Sequence, residues 1–176
     1  MKQQSLASRL NLGRPIPLAH IVSRIADRAQ TNTQMYGHRP YGVGLLVAGV
    51  DASGSHLYEF NPSGVTQEMV ADAIGARSQM ARTYLERHLD SFADCGREEL
   101  VKHAMRALRE SLQQDKELTV DNTSLGVGGK GEKFELLEGE KIRGWLSSIA
   151  EGAEGGEGGG SSTAQQQGGE GMDVDS

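Results

Sequence analysis

Cysteine is nearly missing from this chain. Cys95 stands alone among 176 residues, so no internal disulfide can form and a thiolate-rich zinc site has no partner to draw on. Such usage fits a reducing compartment, and cytoplasm and nucleus are the expected locations. Long apolar runs are missing as well. No window approaches the roughly 18 continuous apolar residues that a membrane helix needs. The opening stretch, MKQQSLASRLNLG, has no apolar centre of signal-peptide type, so export is not expected.

An excess of basic charge is absent too. Residues 151–176 carry six acidic groups and no Lys or Arg, which accounts for the whole formal charge of −6. The first 150 residues hold the 18 basic groups and the other 18 of the 24 acidic ones. A balanced body argues against a nucleic-acid surface, which needs clustered Lys and Arg. Two regimes are therefore expected: one ordinary-sized domain over 1–150, and an acidic Gly-rich tail over 151–176. The tail, EGAEGGEGGGSSTAQQQGGEGMDVDS, has almost nothing to bury, so it is expected to be disordered. Its end, MDVDS, has the form of an acidic docking peptide, but a solubilising tail is the favoured reading.

What is present is punctuation. KQQSLASRLNLG predicts a helix ending at Gly13, and Pro15 and Pro17 open a second one. Leu18, Ile21, Val22, Ile25, Ala26 and Ala29 recur at helical spacing and define its apolar face. YGVGLLVAGVD is almost continuously apolar, which predicts a strand covered on both faces. Its glycines, Gly42, Gly44 and Gly49, point to close approaches or bulges. Asp51-Ala52-Ser53-Gly54 predicts a hairpin, HLYEF the return strand, Asn61-Pro62-Ser63-Gly64 a second turn and VTQEMVADAIG an irregular third strand. Two helices follow. One stripes Met80, Ala81, Tyr84, Leu85, Leu89 and Phe92. The other stripes Leu100, Val101, Ala104, Met105, Ala107, Leu108 and Leu112, with Leu100, Ala104 and Leu108 facing the sheet. TVDNTSLGVGG and KFELLEG read as a strand pair, and IRGWLSSI as a closing helix. Strands, then helices, then strands make an α+β layered fold.

Candidate chemistry is thin. GVGGKGE (126–132) departs from a phosphate loop: Ser124 stands at the first glycine position, Gly131 replaces the metal-binding hydroxyl, and a strand rather than a helix follows. A turn is the better reading. His20, His38, His56, His88 and His103 form no H-x₃-H pair, so no metal site is expected. Cys95, in FADCGRE, has no local nucleophile motif and reads as a connector. Glu86 has no partner acid to divide roles with. Arg77, Arg82, Tyr84 and Arg87 cluster on one predicted helix and are candidate interface residues, since Arg and Tyr are enriched at interfaces. No catalytic, cofactor or metal residue is assigned.

The run RPYGVGLLVAGVD-x-x-G-x-x-L, then NPSG and AIGARSQMARTYLER, resembles the proteasome alpha-type subunits. GARSQMARTYLERHLDSF followed by ELVKHAMRALRESL is most similar to the alpha-type-1 group. The resemblance covers roughly 10–149. It implies the N-terminal-nucleophile hydrolase fold, with antiparallel sheets stacked face to face and flanked by helices, and here incomplete at its first strands. Asn61 stands where the family usually has Asp. The gating extension, first helix and four strands that open a family member have no counterpart here, so no gate or pocket residue is carried over. Catalytic relatives use an N-terminal threonine as nucleophile, with its own amine as base, and no such residue opens this chain. The resemblance therefore implies a non-catalytic outer-ring subunit without cofactor, serving ring assembly and substrate entry in ubiquitin-dependent degradation. Its implied partners are neighbouring alpha subunits, beta-ring subunits and a regulatory ATPase cap, with no nucleic acid or membrane. Two alternatives are a truncated paralogue acting as an assembly module and a threonine-protease relative.

Overall fold

The computed structural model describes residues 1–113 and 116–151, so the expected tail falls outside the described residues apart from Glu151. The order is α1 (Lys2–Leu12), α2 (Leu18–Gln34), β1 (Leu45–Val50), β2 (Ser55–Phe60), β3 (Thr66–Met69), α3 (Ser78–Arg87), α4 (Arg97–Glu110), β4 (Leu125–Val127), β5 (Glu135–Leu137) and α5 (Arg143–Glu151). Short 3₁₀ turns at Leu89–Ser91 and Gly139–Ile142 precede α4 and α5. This is the α+β order that the punctuation predicts.

Helix α1 stops where Gly13 turns left-handed at φ 63°. Helix α2 begins after Pro17 and buries Ile21, Val22, Ala26 and Ala29, the expected face. It packs against all three strands of the first sheet. Its opening amide is not capped locally. Asp51, in the turn 33 residues later, accepts the Leu18 N–H through Oδ2 at 3.2 Å. A side chain from the sheet thus satisfies a donor that a helix start leaves unpaired.

That sheet runs β1-β2-β3, antiparallel throughout. Leu45 pairs with Phe60 and Val50 with Ser55; Leu57 pairs with Met69 and Phe60 with Thr66. Phe60, 3% exposed, shares its face with Leu45 and Val47, toward α2. Two glycines set how close the helix comes. A Cβ on Gly49 would lie 3.2 Å from Leu18 Cδ2. Gly64 adopts φ +91°, and a Cβ there would stand 2.9 Å from both the Ala26 carbonyl oxygen and Gln30 Cβ. Gly42 has open space around it, so the expected close approach does not occur there.

Two expectations need correcting. β1 is not covered on both faces: none of its residues is fully buried, and Ala48 and Val50 are exposed. Leu100, Ala104 and Leu108 do not pack on the sheet; all three are exposed and border an open trough. The reason is common to both. The other face of α4 sinks Val101 and Met105 into a second core with Ile142 and Ile149, bordered by Val120, Leu125, Val127, Trp145 and Leu146. The helix is held from that side, and nothing among the described residues fills the space between its remaining face and the first sheet. Met80 is 56% exposed and so drops out of its expected stripe.

β4 and β5 pair antiparallel, Leu125 opposite Leu137. The GVGGKGE segment is the hairpin between them, with Gly131 at φ 82°. A Cβ on Gly126 would come within 3.0 Å of the Phe134 ring. Strand leads to strand, so the backbone amides are not gathered at a helix start as phosphate binding requires.

Candidate functional site

Helix α3 carries Arg82, Tyr84 and Arg87, with Arg77 just ahead of it, and the structure divides the four residues singled out in the sequence. Arg82 and Tyr84 turn inward. Arg82 Nε donates to the Ala73 carbonyl at 2.9 Å and meets Asp72 Oδ1 at 2.8 Å; Nη2 meets Glu59 Oε1 at 3.3 Å. One guanidinium thus ties α3 to β2 and to the β3–α3 connection. The planar fork of arginine suits three acceptors spread around it. Asp72 is deeply placed, with its side chain 1% exposed and Oδ2 without a hydrogen-bond partner.

Tyr84 O–H meets His103 Nδ1 at 3.0 Å, and its ring stacks on His88 at 4.3 Å between centroids. His88 Nδ1 donates to the Tyr84 carbonyl at 2.8 Å, and Phe92 meets His103 edge-on. Burial, reinforced by His88 and Arg106 nearby, lowers the His103 pKa. A neutral His103 then accepts the Tyr84 O–H hydrogen bond through Nδ1. This aromatic cluster joins α3 to α4 and borders the trough.

Arg77 and Arg87 point outward. Arg77 is the only non-glycine with positive φ among the described residues, at 60°, just ahead of α3. The four candidates therefore do not form one patch. Glu86 is exposed, and Cys95 is a half-buried free thiol in the loop before α4, consistent with a connector.

The trough holds about 950 Å³. Leu46, Leu57 and Val70 line one side, and Leu85, Leu100 and Leu108 line the other. Its walls are mainly apolar, and Asp72, Asp90 and His103 line it as well.

A group that sequence reasoning missed lies at the β1–β2 turn. Ser53 Oγ is 2.8 Å from His56 Nε2, and His56 Nδ1 is 2.5 Å from Glu68 Oε1. Hydroxyl, imidazole and carboxylate in a row suggest an activated serine. The hydrogen bonds in place point elsewhere. Ser53 has one hydroxyl proton, and Asp51 Oδ1 takes it at 2.5 Å. The Glu68 hydrogen bond, with Asp51 adding to it, raises the His56 pKa. While it holds its second proton, the ring donates from both nitrogens and cannot serve as a base. The available signals were the turn residues Asp51 and Ser53 and the register that sets Glu68 opposite Tyr58, two positions from His56.

The described residues make an α+β chain of antiparallel sheets and flanking helices. The chain belongs to the proteasome subunit family: the family model described as Proteasome subunit matches residues 1–127. It is 50% identical over 151 residues to the probable proteasome subunit alpha type-6 of Schizosaccharomyces pombe, covering 86% of this chain and 56% of that one. It is 47% identical over 144 residues to the proteasome subunit alpha type-6 of Saccharomyces cerevisiae, covering 81% and 61%. Against the proteasome subunit alpha type-1 of Dictyostelium discoideum it is 45% identical over 130 residues, covering 73% and 52%. The chain thus spans a little over half the length of these relatives. The alpha-type resemblance read from GARSQMARTYLER holds, and the relatives include both alpha type-6 and alpha type-1 subunits.

Proposed function

We propose that this chain acts as a non-catalytic subunit of the outer alpha ring of a proteasome core particle. It contributes to ring assembly and to substrate entry in ubiquitin-dependent degradation. Its partners are neighbouring alpha subunits, the beta ring and a regulatory ATPase cap, in cytoplasm and nucleus. The body over 1–150 is the assembling unit, and 151–176 is an appended acidic tail. The observation that carries this reading is the 50% identity to an alpha-type subunit across 86% of the chain. The surface supports it. An open apolar trough and exposed large side chains such as Leu10, Tyr36, Val70 and Phe134 are what an obligate assembly member leaves uncovered.

Co-sedimentation tests it. A tagged chain expressed in its own cells is expected to run with the peptidase-active core particle on a glycerol gradient and a native gel. Recovery only in light fractions would overturn the reading. Within the ring, the outward-facing Arg77 and Arg87 are the proposed lateral contacts. Reversing both to Glu is expected to cut incorporation about fivefold or more, because like charges facing a complementary surface oppose docking. Unchanged incorporation of that double variant would remove them from the interface.

A further inference from the structure

The geometry points to a proton-operated latch at the β1–β2 turn: the charged His56 ring, held between Asp51 and Glu68, keeps the first turn of α2 seated on the sheet, and loss of its proton releases that turn. His56 lies on β2, opposite Gly49 of β1. Its Nδ1 reaches Glu68 of β3 at 2.5 Å, while Nε2 reaches Asp51 Oδ1 at 3.1 Å and Ser53 Oγ at 2.8 Å. Asp51 uses its other oxygen to hold the Leu18 amide of α2. One imidazolium thereby clamps the turn, two strands and a helix start.

The groups that face the ring are few. The turn contributes Asp51 and Ser53, and β3 contributes Glu68. Tyr58, on β2 with His56, stacks on the ring at 6.3 Å and donates to Glu68 Oε2 at 3.0 Å. From α2 comes the Leu18 N–H. No Lys or Arg among the described residues bonds to this group, so His56 is its sole cation. A neutral imidazole has one N–H where two are needed. On deprotonation, either the Glu68 or the Asp51 contact becomes acceptor against acceptor, and two carboxylates are left close together.

The direction of the pH dependence follows. The His56 pKa is raised, first by the Glu68 hydrogen bond and then by Asp51. Its contribution is complete below the ordinary histidine value and is lost as pH rises through the raised one. The Glu68 pKa is lowered, chiefly by His56 and then Tyr58, and that of Asp51 is lowered by the Ser53 hydroxyl and amide and the Leu18 amide. Their contributions are lost at the acid end, as pH falls through those depressed values. The latch is therefore closed below the ordinary histidine value and opens as pH rises through the raised one.

Deuterium exchange read by mass spectrometry tests this on the full chain, in whatever assembly it is isolated. Exchange at His56 Cε1 gives the ring's midpoint, and a peptide that starts two or more residues before Leu18 reports the α2 start. The midpoint is expected above 6.5, the ordinary value. Protection of the α2 start, corrected for intrinsic exchange, is expected to fall about threefold or more across that midpoint. Glu68→Gln is expected to bring the midpoint down, and His56→Gln to flatten the pH response of the α2 start. A wild-type midpoint at or below 6.5, protection unchanged through the midpoint, or a Glu68→Gln midpoint equal to wild type would each overturn the latch.

Discussion

Gly64→Ala is expected to destabilise the chain by about 3 kcal/mol, a large effect for one methyl group. Two costs add. A non-glycine residue at φ +91° gives up roughly 1–2 kcal/mol to left-handed backbone strain. The new Cβ would also stand 2.9 Å from the Ala26 carbonyl oxygen, which belongs to α2 and cannot swing aside like a side-chain tip. Forcing α2 away from the sheet adds roughly 1–3 kcal/mol of overpacking. Gly42→Ala is the matched control, because no atom lies within 4 Å of the Cβ it would gain. Denaturant midpoints of the two variants should differ clearly, with Gly42→Ala near wild type. Equal midpoints would mean that α2 does not seat where the structure has it.

Arg82→Met is expected to be about as damaging. It leaves the Asp72 carboxylate, 1% exposed, without its charged partner among the described residues, and removes the bond to Ala73. Stripping one member from a buried pair costs roughly 3–5 kcal/mol, and the lower end applies because Arg82 itself is a third exposed. The informative variant is the double one. Asp72→Ala in the Arg82→Met background removes the orphaned carboxylate and should recover about 1 kcal/mol or more, a coupling that a double-mutant cycle reads directly. If the two changes simply add, the pair is not a unit. The cycle also separates fold from assembly, since Arg82 was an interface candidate by sequence, yet its guanidinium is committed inside the chain.

How much of this was legible depends on whether the cause was local. Gly13 and Pro17 bracket the first two helices because helix termination and initiation are set by residues at the boundary. The Asp51–Gly54 and Asn61–Gly64 turns were readable for the same reason: three hydrogen-bonded strands follow from two short turns and alternating side chains. What failed was long range. Leu100, Ala104 and Leu108 have the spacing of a buried stripe, but periodicity says only that they share a face, not that anything covers it. The continuous apolar run of β1 misled in the same way. His56 looked like one of five scattered histidines because its partner Glu68 lies on another strand, and only the strand register brings them together. The family was legible from GARSQMARTYLER, whereas the outward and inward halves of that helix, Arg77 and Arg87 against Arg82 and Tyr84, required coordinates.

The long-range cap on α2 bears on how this chain is made. A ribosome releases the helix well before it releases Asp51, which lies 33 residues behind Leu18. At roughly 5–20 residues per second, the Leu18 amide waits about 2–7 s for the side chain that closes it, and the finished helix, ending at Gln34, about 1–3 s. During that interval its apolar stripe has no sheet to rest on, and an isolated helix of this length is marginal in water. Hairpin closure, rather than helix formation, is the event that ends its exposure.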